Sequence, residues 1–455
     1  MFEKNLVQLH PCNSEVKRLW NGIQDLGNLK EINLSGCELL EELPNMSNAS
    51  KLEIVDLSRC IRLSHVHPSI ISNHNLVELY LTNCKRLQRL QSHVHLRSFK
   101  HLSAFNCPNL KEFSVSSERL KTINLAYTCI ENVSSAITVG LINSLTILNL
   151  NCAKLVSLPA SIKHLPNLEQ LHLCGCSRLQ SIPELPRSIK VLDASNCISL
   201  EAIFTSRPCS HLNPRYPFLL YLSNCWKLGE DTVNAIALDF VLATMGVVYQ
   251  QPTSSEQFSY CNRSEACLPG SKVPDVLNFQ TSQGCESEIS IQVPLNSDLM
   301  AFIFCFAIGK QTGYQLRCCC SMHVSNGERI EYNKIVLMPS VCGDHLMLCY
   351  YGDFNHNIMN GIKESRASSS STDEYTKVSF KIYDYHRLGV KGIGVYSIYA
   401  SELHSLFSTN TKKKRKLALQ KGVNSLRLSK QILRHSREEK KKTKKLKAIH
   451  LPTAT

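Results

Sequence analysis

LVELYLTNCKRLQRL, residues 76–90, carries leucine at 76, 79, 81, 87 and 90 and cysteine at 84. The pair Leu79-x-Leu81 alternates as one short strand does, with the residues between facing the other way. Cys84 follows where a strand would end and the chain would have to turn inward. One such stretch means little, so the question is whether the pattern recurs.

It recurs along the first half of the chain. LKEINLSGCELLEELP (29–44), LEIVDLSRCIRL (52–63), FKHLSAFNCPNLKEF (99–113), LEQLHLCGCSRLQSIP (168–183) and IKVLDASNCISLEAI (189–203) fit L-x-x-L-x-L-x-x-C-x-x-L. LTILNLNCAKLVSLP (145–159) reads as one residue short before its cysteine. In LVQLHPCNSEVKRL (6–19) and LKTINLAYTCIENV (120–133), Ser14 and Thr128 take the cysteine place. The key positions are therefore 14, 37, 60, 84, 107, 128, 152, 176 and 197. Spacings in the twenties are those of leucine-rich repeats, each a strand, a turn and an irregular or helical return. The fold expected is an α/β leucine-rich-repeat solenoid, a horseshoe whose leucines fill one continuous core.

This register accounts for the cysteines. The 21 in the chain invite a metal or disulfide reading, but Cys37, Cys60, Cys84, Cys107, Cys152, Cys176 and Cys197 stand one repeat apart. That is not the paired C-x-x-C spacing of zinc sites. A small side chain packs at the inward turn, and its thiol can donate weakly to a backbone carbonyl. Cys174, two residues before Cys176, falls on an outward strand position. Cys318, Cys319 and Cys320 are consecutive in a strand-like run, so alternation keeps them from converging on one ion.

With 43% apolar and 19% charged residues over 455 positions, the composition is that of a globular chain with two or three domains. The run Met300 to Ile308 is about half the length a spanning helix needs, and MFEKNLVQLH lacks the signature of a secretory leader. Neither secretion nor membrane insertion is expected, and a reducing compartment suits the free thiols. The net charge of +14 is local: from Thr411 onward there are 16 Lys and Arg against 2 acidic residues, while the preceding 410 residues hold 35 of each sign.

After the repeats, FLLYLSNCWKLGEDTVNAIALDFVLATM (218–245) begins as a tenth strand at Cys225 and continues as a helix with Val233, Ile236, Ala237 and Phe240 on one face. Short β-type runs follow, among them SEISIQVP, AFIFCFAIG, HLMLCYYG and VKGIGVYSIYA, as in an antiparallel sandwich. KESRASSSSTDE (363–374) reads as a loop between two of them. The domain boundaries expected are 1–215 for the repeats, 216–249 for a C-terminal repeat cap and 250–266 for a linker. An all-β, jelly-roll-like sandwich over 267–405 and a basic, disordered or partly helical tail over 406–455 complete the chain. Repeat-like sequence starting at Leu6 leaves no room for an N-terminal cap, which suggests a longer protein or a partner there.

The repeats, then NCWKL (224–228), CLPGSKVP (267–274), Asp344-His345-Leu346 and VKGIGVYSIY (390–399), resemble the C-terminal part of plant TIR-type nucleotide-binding leucine-rich-repeat disease-resistance proteins. The second half is similar to their post-repeat jelly-roll-like domain. Where that family carries an aromatic pair after the LPGS turn, Val276 and Leu277 stand here. The resemblance implies a protein-interaction module of an intracellular immune receptor that recognises a pathogen effector, with cytoplasmic or nuclear location. No phosphate loop or TIR-like region occurs in this sequence, so no enzymatic activity, cofactor, metal or small-molecule substrate is expected. A receptor's nucleotide-binding domain is a further partner that the resemblance implies. The alternatives are a free-standing adaptor or decoy, or a substrate-recruiting repeat protein of a ubiquitin ligase.

Side-chain alternation places Asn33, Asp56, Tyr80, Ser103, Asn124, Asn149, His172 and Asp193 in one column on the concave face. The candidate partner-binding residues are Glu78, Tyr80, His101, Ser103, Phe105, Asn149, His172, Cys174 and Asp193, since aromatic and histidine groups concentrate binding energy. In the tail, Lys412, Lys413, Lys414, Arg415, Lys416, Lys440, Lys441, Lys442, Lys444 and Lys445 form two basic clusters suited to a nuclear-import signal. Nucleic-acid binding is not expected of a tail without interleaved aromatic groups.

Overall fold

The computed structural model describes residues 6–20, 24–133, 143–203, 218–250, 263–277, 279–280, 288–294, 296–309, 315–323, 329–337, 341–367, 375–383 and 389–407. Ten short strands lie side by side in parallel: Gln8–Leu9, Glu31–Asn33, Ile54–Asp56, Glu78–Tyr80, His101–Ser103, Thr122–Asn124, Ile147–Asn149, Gln170–His172, Val191–Asp193 and Leu219–Tyr221. Each three-residue strand buries its middle side chain and leaves the outer two half-exposed. In the repeat quoted first, Leu76, Leu79, Leu81, Cys84, Leu87 and Leu90 are each at most 1% exposed. Among the described residues the returns carry little helix: one α-turn at Pro68–Ile71, one 3-10 turn at Ala160–His164, and short parallel strands such as Arg89–His95 against Glu112–Ser116.

The inward cysteines bond as a ladder. The thiols of Cys60, Cys84, Cys107, Cys176 and Cys197 donate to the carbonyls of Leu34, Leu57, Leu81, Leu150 and Leu173 in the preceding turn, at 3.0–3.2 Å. Each thiol thus joins two turns of the solenoid at a carbonyl that also accepts a backbone N–H from its own turn. Burial pushes the Cys60 and Cys176 thiols up to about 12, which keeps them protonated donors.

One register assignment is corrected. Cys152 is half-exposed with φ of 56°, whereas Ala153 is 2% exposed and its N–H bonds back to Leu150 as that of Cys176 does to Leu173. Leu148 and Leu150 set the register, so Ala153 takes the inward place and Cys152 the turn residue before it. The repeat is not short before the turn; like those of Ser14 and Thr128, it is short after it.

That turn residue is left-handed in every repeat: Asn13, Gly36, Arg59, Asn83, Asn106, Tyr127, Cys152, Gly175, Asn196 and Asn224 all have φ between 53° and 76°. Asparagine and glycine dominate because they tolerate this conformation best. In the first nine turns its N–H donates to a carbonyl of the next turn, as Asn106 does to Ala126 at 2.8 Å. In the tenth, the N–H of Asn224 finds Nε2 of His345 instead, at 2.8 Å.

The solenoid sheet does not stop at its last repeat. Arg263–Pro269 pairs in parallel with Leu219–Tyr221 and in antiparallel with His345–Tyr351, and the order continues through Leu299–Ile308, Val390–Tyr399 and Phe279–Gln280. Residues 263–266, assigned above to a linker, are therefore strand; 251–262 lie outside the described residues. The helix Glu230–Tyr249, expected as the cap, packs behind the sheet but does not close it. Strand Arg263–Pro269 and His345 together imitate an eleventh turn.

A second sheet, ordered Glu288–Pro294, Tyr375–Tyr383, Gln315–His323 and Arg329–Leu337, packs on the far face of the sandwich. Phe302, Phe304, Phe306, Cys318, Cys320, Cys349 and Phe380 fill the space between, while Ala301, Ile303, Cys305 and Ala307 turn the other way into the core shared with the solenoid. The unbroken apolar run from Met300 is thus a central strand buried on both faces. Cys318 and Cys320 point inward with Cys319 on the opposite face, as alternation demands. Glu230–Tyr249 has the length and a mean hydropathy of 1.6 sufficient for a membrane span, but 67% of that window is buried inside the protein, as in a core helix. Gly352–Ala367 forms a helix that the sequence reading did not anticipate, and it takes residues 363–367 from the expected loop.

The motifs that carry the family resemblance meet at this junction. Gly270 of CLPGS donates its N–H to the Asp344 carbonyl at 2.9 Å, and Trp226 of NCWKL stands edge-on to the His345 ring at 4.7 Å. Asn224 also bridges: its Nδ2 donates to Asn196 and its Oδ1 accepts from the Cys342 N–H. Leu277, in place of an aromatic, is 2% exposed and packs with Val273 over Gly394, where a side chain would collide with both.

Candidate partner-binding surface

Strand pairing confirms the column geometry. Tyr80 is the Cα partner of Asp56 on one side and Ser103 on the other, and His172 lies between Asn149 and Asp193. Much of the column has a local duty. Oδ1 of Asn33, Asp56, Asn124, Asn149 and Asp193 accepts the N–H two residues on, at 2.8–3.2 Å. These Asx-turns steer the chain into the left-handed residue. Asn149 and Asp193, two of the candidates, are accordingly needed by the turn itself. Tyr80, Ser103, His172 and Tyr221 stand at the same place without that duty.

The candidates fall into two groups. In the first, the Tyr80 hydroxyl donates to Glu78 at 2.7 Å, the carboxylate pushing the phenol up to about 12. Glu78 is the Cα partner of His101, whose Nδ1 is 2.9 Å from the Thr122 hydroxyl. Phe105 stands edge-on to Tyr127 with ring centroids 5.4 Å apart, and Tyr127 is 49% exposed. The result is a half-exposed strip of phenol, imidazole and phenyl groups held by a rigid ladder. In the second group, His172 Nε2 lies 3.3 Å from Gln170 Oε1, and Asn196 donates to the Cys174 sulfur at 3.7 Å. Burial, reinforced by the nearby Asp193 carboxylate, raises the Cys174 thiol. The rungs of Asn124 and Asn149 separate this group from Tyr80 and Ser103.

Sequence reasoning missed Tyr127, although an aromatic at a left-handed place dominated by Asn and Gly is a visible signal. It also missed the end of the column. Tyr221 donates to Glu265 at 3.1 Å, Tyr351 donates to its other oxygen at 2.7 Å, and Arg263 pairs with it at 3.2 Å. Burial and the carboxylate push Tyr221 up to about 12. Continuing the repeat column by one strand identifies Tyr221; nothing local identifies Glu265. Among the described residues, no group of three or more His, Cys, Asp or Glu is placed to hold a metal ion. The ten basic tail residues named above lie outside the described residues.

Disease resistance protein RML1A of Arabidopsis thaliana is 32% identical over 337 residues, covering 69% of this chain and 30% of that protein. TMV resistance protein N of Nicotiana glutinosa is 31% identical over 272 residues, covering 58% of this chain and 22% of that protein. The chain thus spans less than a third of the length of these relatives. Among solved structures, the leucine-rich repeat domain of the type III effector XopL is similar with a TM-score of 0.34 and 22% identity, over 50% of this chain and 70% of that one. No protein-family model matches the chain. Over the part of their length that it spans, the chain's homologues are plant TIR-type nucleotide-binding leucine-rich-repeat disease resistance proteins.

Proposed function

We propose that the chain is the recognition module of an intracellular plant immune receptor and that it binds a pathogen effector protein through its concave face and post-repeat domain. The observation that carries this reading is the strip of Glu78, Tyr80, His101, Ser103 and Phe105. Large amphipathic side chains stand there, free of the turn duty that Asn and Asp perform at neighbouring rungs. Such groups supply contact area at low cost in side-chain entropy. The sandwich adds surface in fixed register, because its sheet is the solenoid's sheet continued. The module itself is not an enzyme and uses no cofactor; it acts in the cytoplasm or, if the tail clusters direct import, in the nucleus.

The test is a binding screen of the purified chain against a panel of secreted effector proteins, repeated with Tyr80→Ala, His101→Ala and Phe105→Ala. An effector that binds the parent chain and loses about tenfold or more with each variant supports the reading. Binding unaffected by all three places recognition elsewhere and overturns it.

A further inference from the structure

Three columns of outward side chains line the concave face, two on the strands and one at the turns that follow. Across the ten parallel strands the columns of Glu31, Asn33 and Ser35 contain four half-exposed carboxylates, Glu31 (3.2 Å from His10), Asp56, Glu78 and Asp193, and no lysine or arginine; Arg59, one residue further into its turn, pairs with Glu38. The solenoid's basic residues lie beside this face instead, several held by glutamates of adjacent turns, as Lys30 is by Glu53 and Lys190 by Glu169. Lys100 and Lys121 flank it one residue ahead of their strands. Residues 411–455 carry the opposite charge, 16 Lys and Arg against 2 acidic. We propose that this face is occupied in the free protein by the chain's own basic segment, residues 411–447, which a partner must displace.

Reach does not limit the contact. The last described helix, Ala400–Phe407, packs on Glu230–Tyr249 at the solenoid's end, where Phe407 stacks on Tyr249 at 5.3 Å. From there the strand of Asp193 is the second of the ladder and that of Glu31 the ninth, a walk of about 34 Å at roughly 4.8 Å per strand. The 37 residues from 408 to 444 can span about 120 Å when extended. Exposed charge pairs are individually weak. Tethering raises the local concentration of the segment to the order of millimolar, so weak pairs acting together suffice. The attraction depends on salt, since the charges are not buried.

The inference rests on the concave face being a binding surface, and its test uses the full chain. The probe is a fluorescent synthetic peptide of residues 411–447, read by anisotropy. One protein is the parent; the other has its ten tail residues Lys412, Lys413, Lys414, Arg415, Lys416, Lys440, Lys441, Lys442, Lys444 and Lys445 changed to Gln. The peptide should bind the neutralised chain about tenfold more tightly than the parent at about 50 mM salt, and bind neither at about 500 mM. Adding Glu31→Gln, Asp56→Asn, Glu78→Gln and Asp193→Asn to the neutralised chain should weaken the peptide by about tenfold again. These variants keep the fold: Asn already makes the same turn at 33, 124 and 149, and Gln keeps an acceptor for Tyr80. Equal affinity for parent and neutralised chains overturns the inference, as does indifference to the four face substitutions. Effector binding that still depends on Tyr80 and His101 would then leave the recognition reading intact.

Discussion

The backbone N–H of Asn224 donates to Nε2 of His345 at 2.8 Å, across 121 residues of chain. Each earlier left-handed turn residue gives that N–H to a carbonyl of the following turn. An imidazole nitrogen therefore completes the last turn of the solenoid, and the donor fixes its state: Nε2 must be bare, so Nδ1 carries the proton and donates to the Gly343 carbonyl at 2.9 Å.

This arrangement makes the junction sensitive to acid. His345 is fully buried, and burial holds its pKa below the ordinary imidazole value against the smaller opposing pulls of the Gly343 carbonyl and Asp344. Asp344 is itself paired with Lys391 at 2.7 Å, and Trp226 covers the ring. The unfolded chain therefore takes up this proton first, and the stability His345 contributes is lost as pH falls through about 6.5 and below. Melting temperatures taken from pH 8 to pH 5 should drop more steeply for the parent than for His345→Gln, which keeps an acceptor but does not titrate. Parallel profiles would show that His345 does not couple folding to protons.

Asn224 combines a left-handed backbone, with φ of 63°, and two side-chain bonds. Replacing it with Ala forfeits both contributions and should cost about 2–4 kcal/mol. Asn224→Gly loses the same bonds but not the conformation, so it should cost roughly 1 kcal/mol less than Ala. Urea unfolding of the pair measures that difference, and an equal cost would show that backbone strain plays no part.

Thiol reactivity should follow the corrected register. Cys12 and Cys342 are exposed, Cys152 and Cys174 half-buried, and Cys60 and Cys176 buried with thiols pushed up to about 12. Brief alkylation of the native protein followed by peptide mass analysis should label the first pair fastest, the second next and the third only after unfolding. Protection of Cys152 to the same degree as Cys176 would restore the register first read from the sequence.

Glu265, 3% exposed, accepts from two tyrosines and faces Arg263. Removing it leaves two hydroxyls and a cation without their acceptor, so Glu265→Ala should cost about 3 kcal/mol. Glu265→Gln keeps the size and one acceptor oxygen and should cost less than half as much. Chemical denaturation of both variants decides this, and a mild Ala variant would mean that water takes over as the acceptor.

The solenoid was legible because its signal is repeated. Leu76, Leu79, Leu81 and Cys84 recur in copy after copy, and one misplaced letter cannot hide the period. The error at Cys152 came from anchoring on cysteine where leucine sets the register. The junction was not legible, because Glu265 finds its partners 44 and 86 residues away and His345 finds Asn224 at 121. The helix Gly352–Ala367 was hidden by its own composition, GDFNHNIMNGIKESRA, in which Gly, Asn and Ser favour turns over helix. At the candidate surface the outward columns were correctly read. The duty of Asn149 and Asp193 in Asx-turns was not, since the same residue types suit either role.

The continued sheet also sets an order of assembly. Strand Arg263–Pro269 has one edge against Leu219–Tyr221 and the other against His345–Tyr351. Its solenoid neighbour lies 42 residues earlier in the chain, its sandwich neighbour about twice as far ahead, and the shorter loop closes at lower entropic cost. Repeats add one to the next from locally available edges, so the solenoid can be complete before most of the sandwich has left the ribosome. The last repeat then acts as a template, and the sandwich begins folding on an edge that already exists.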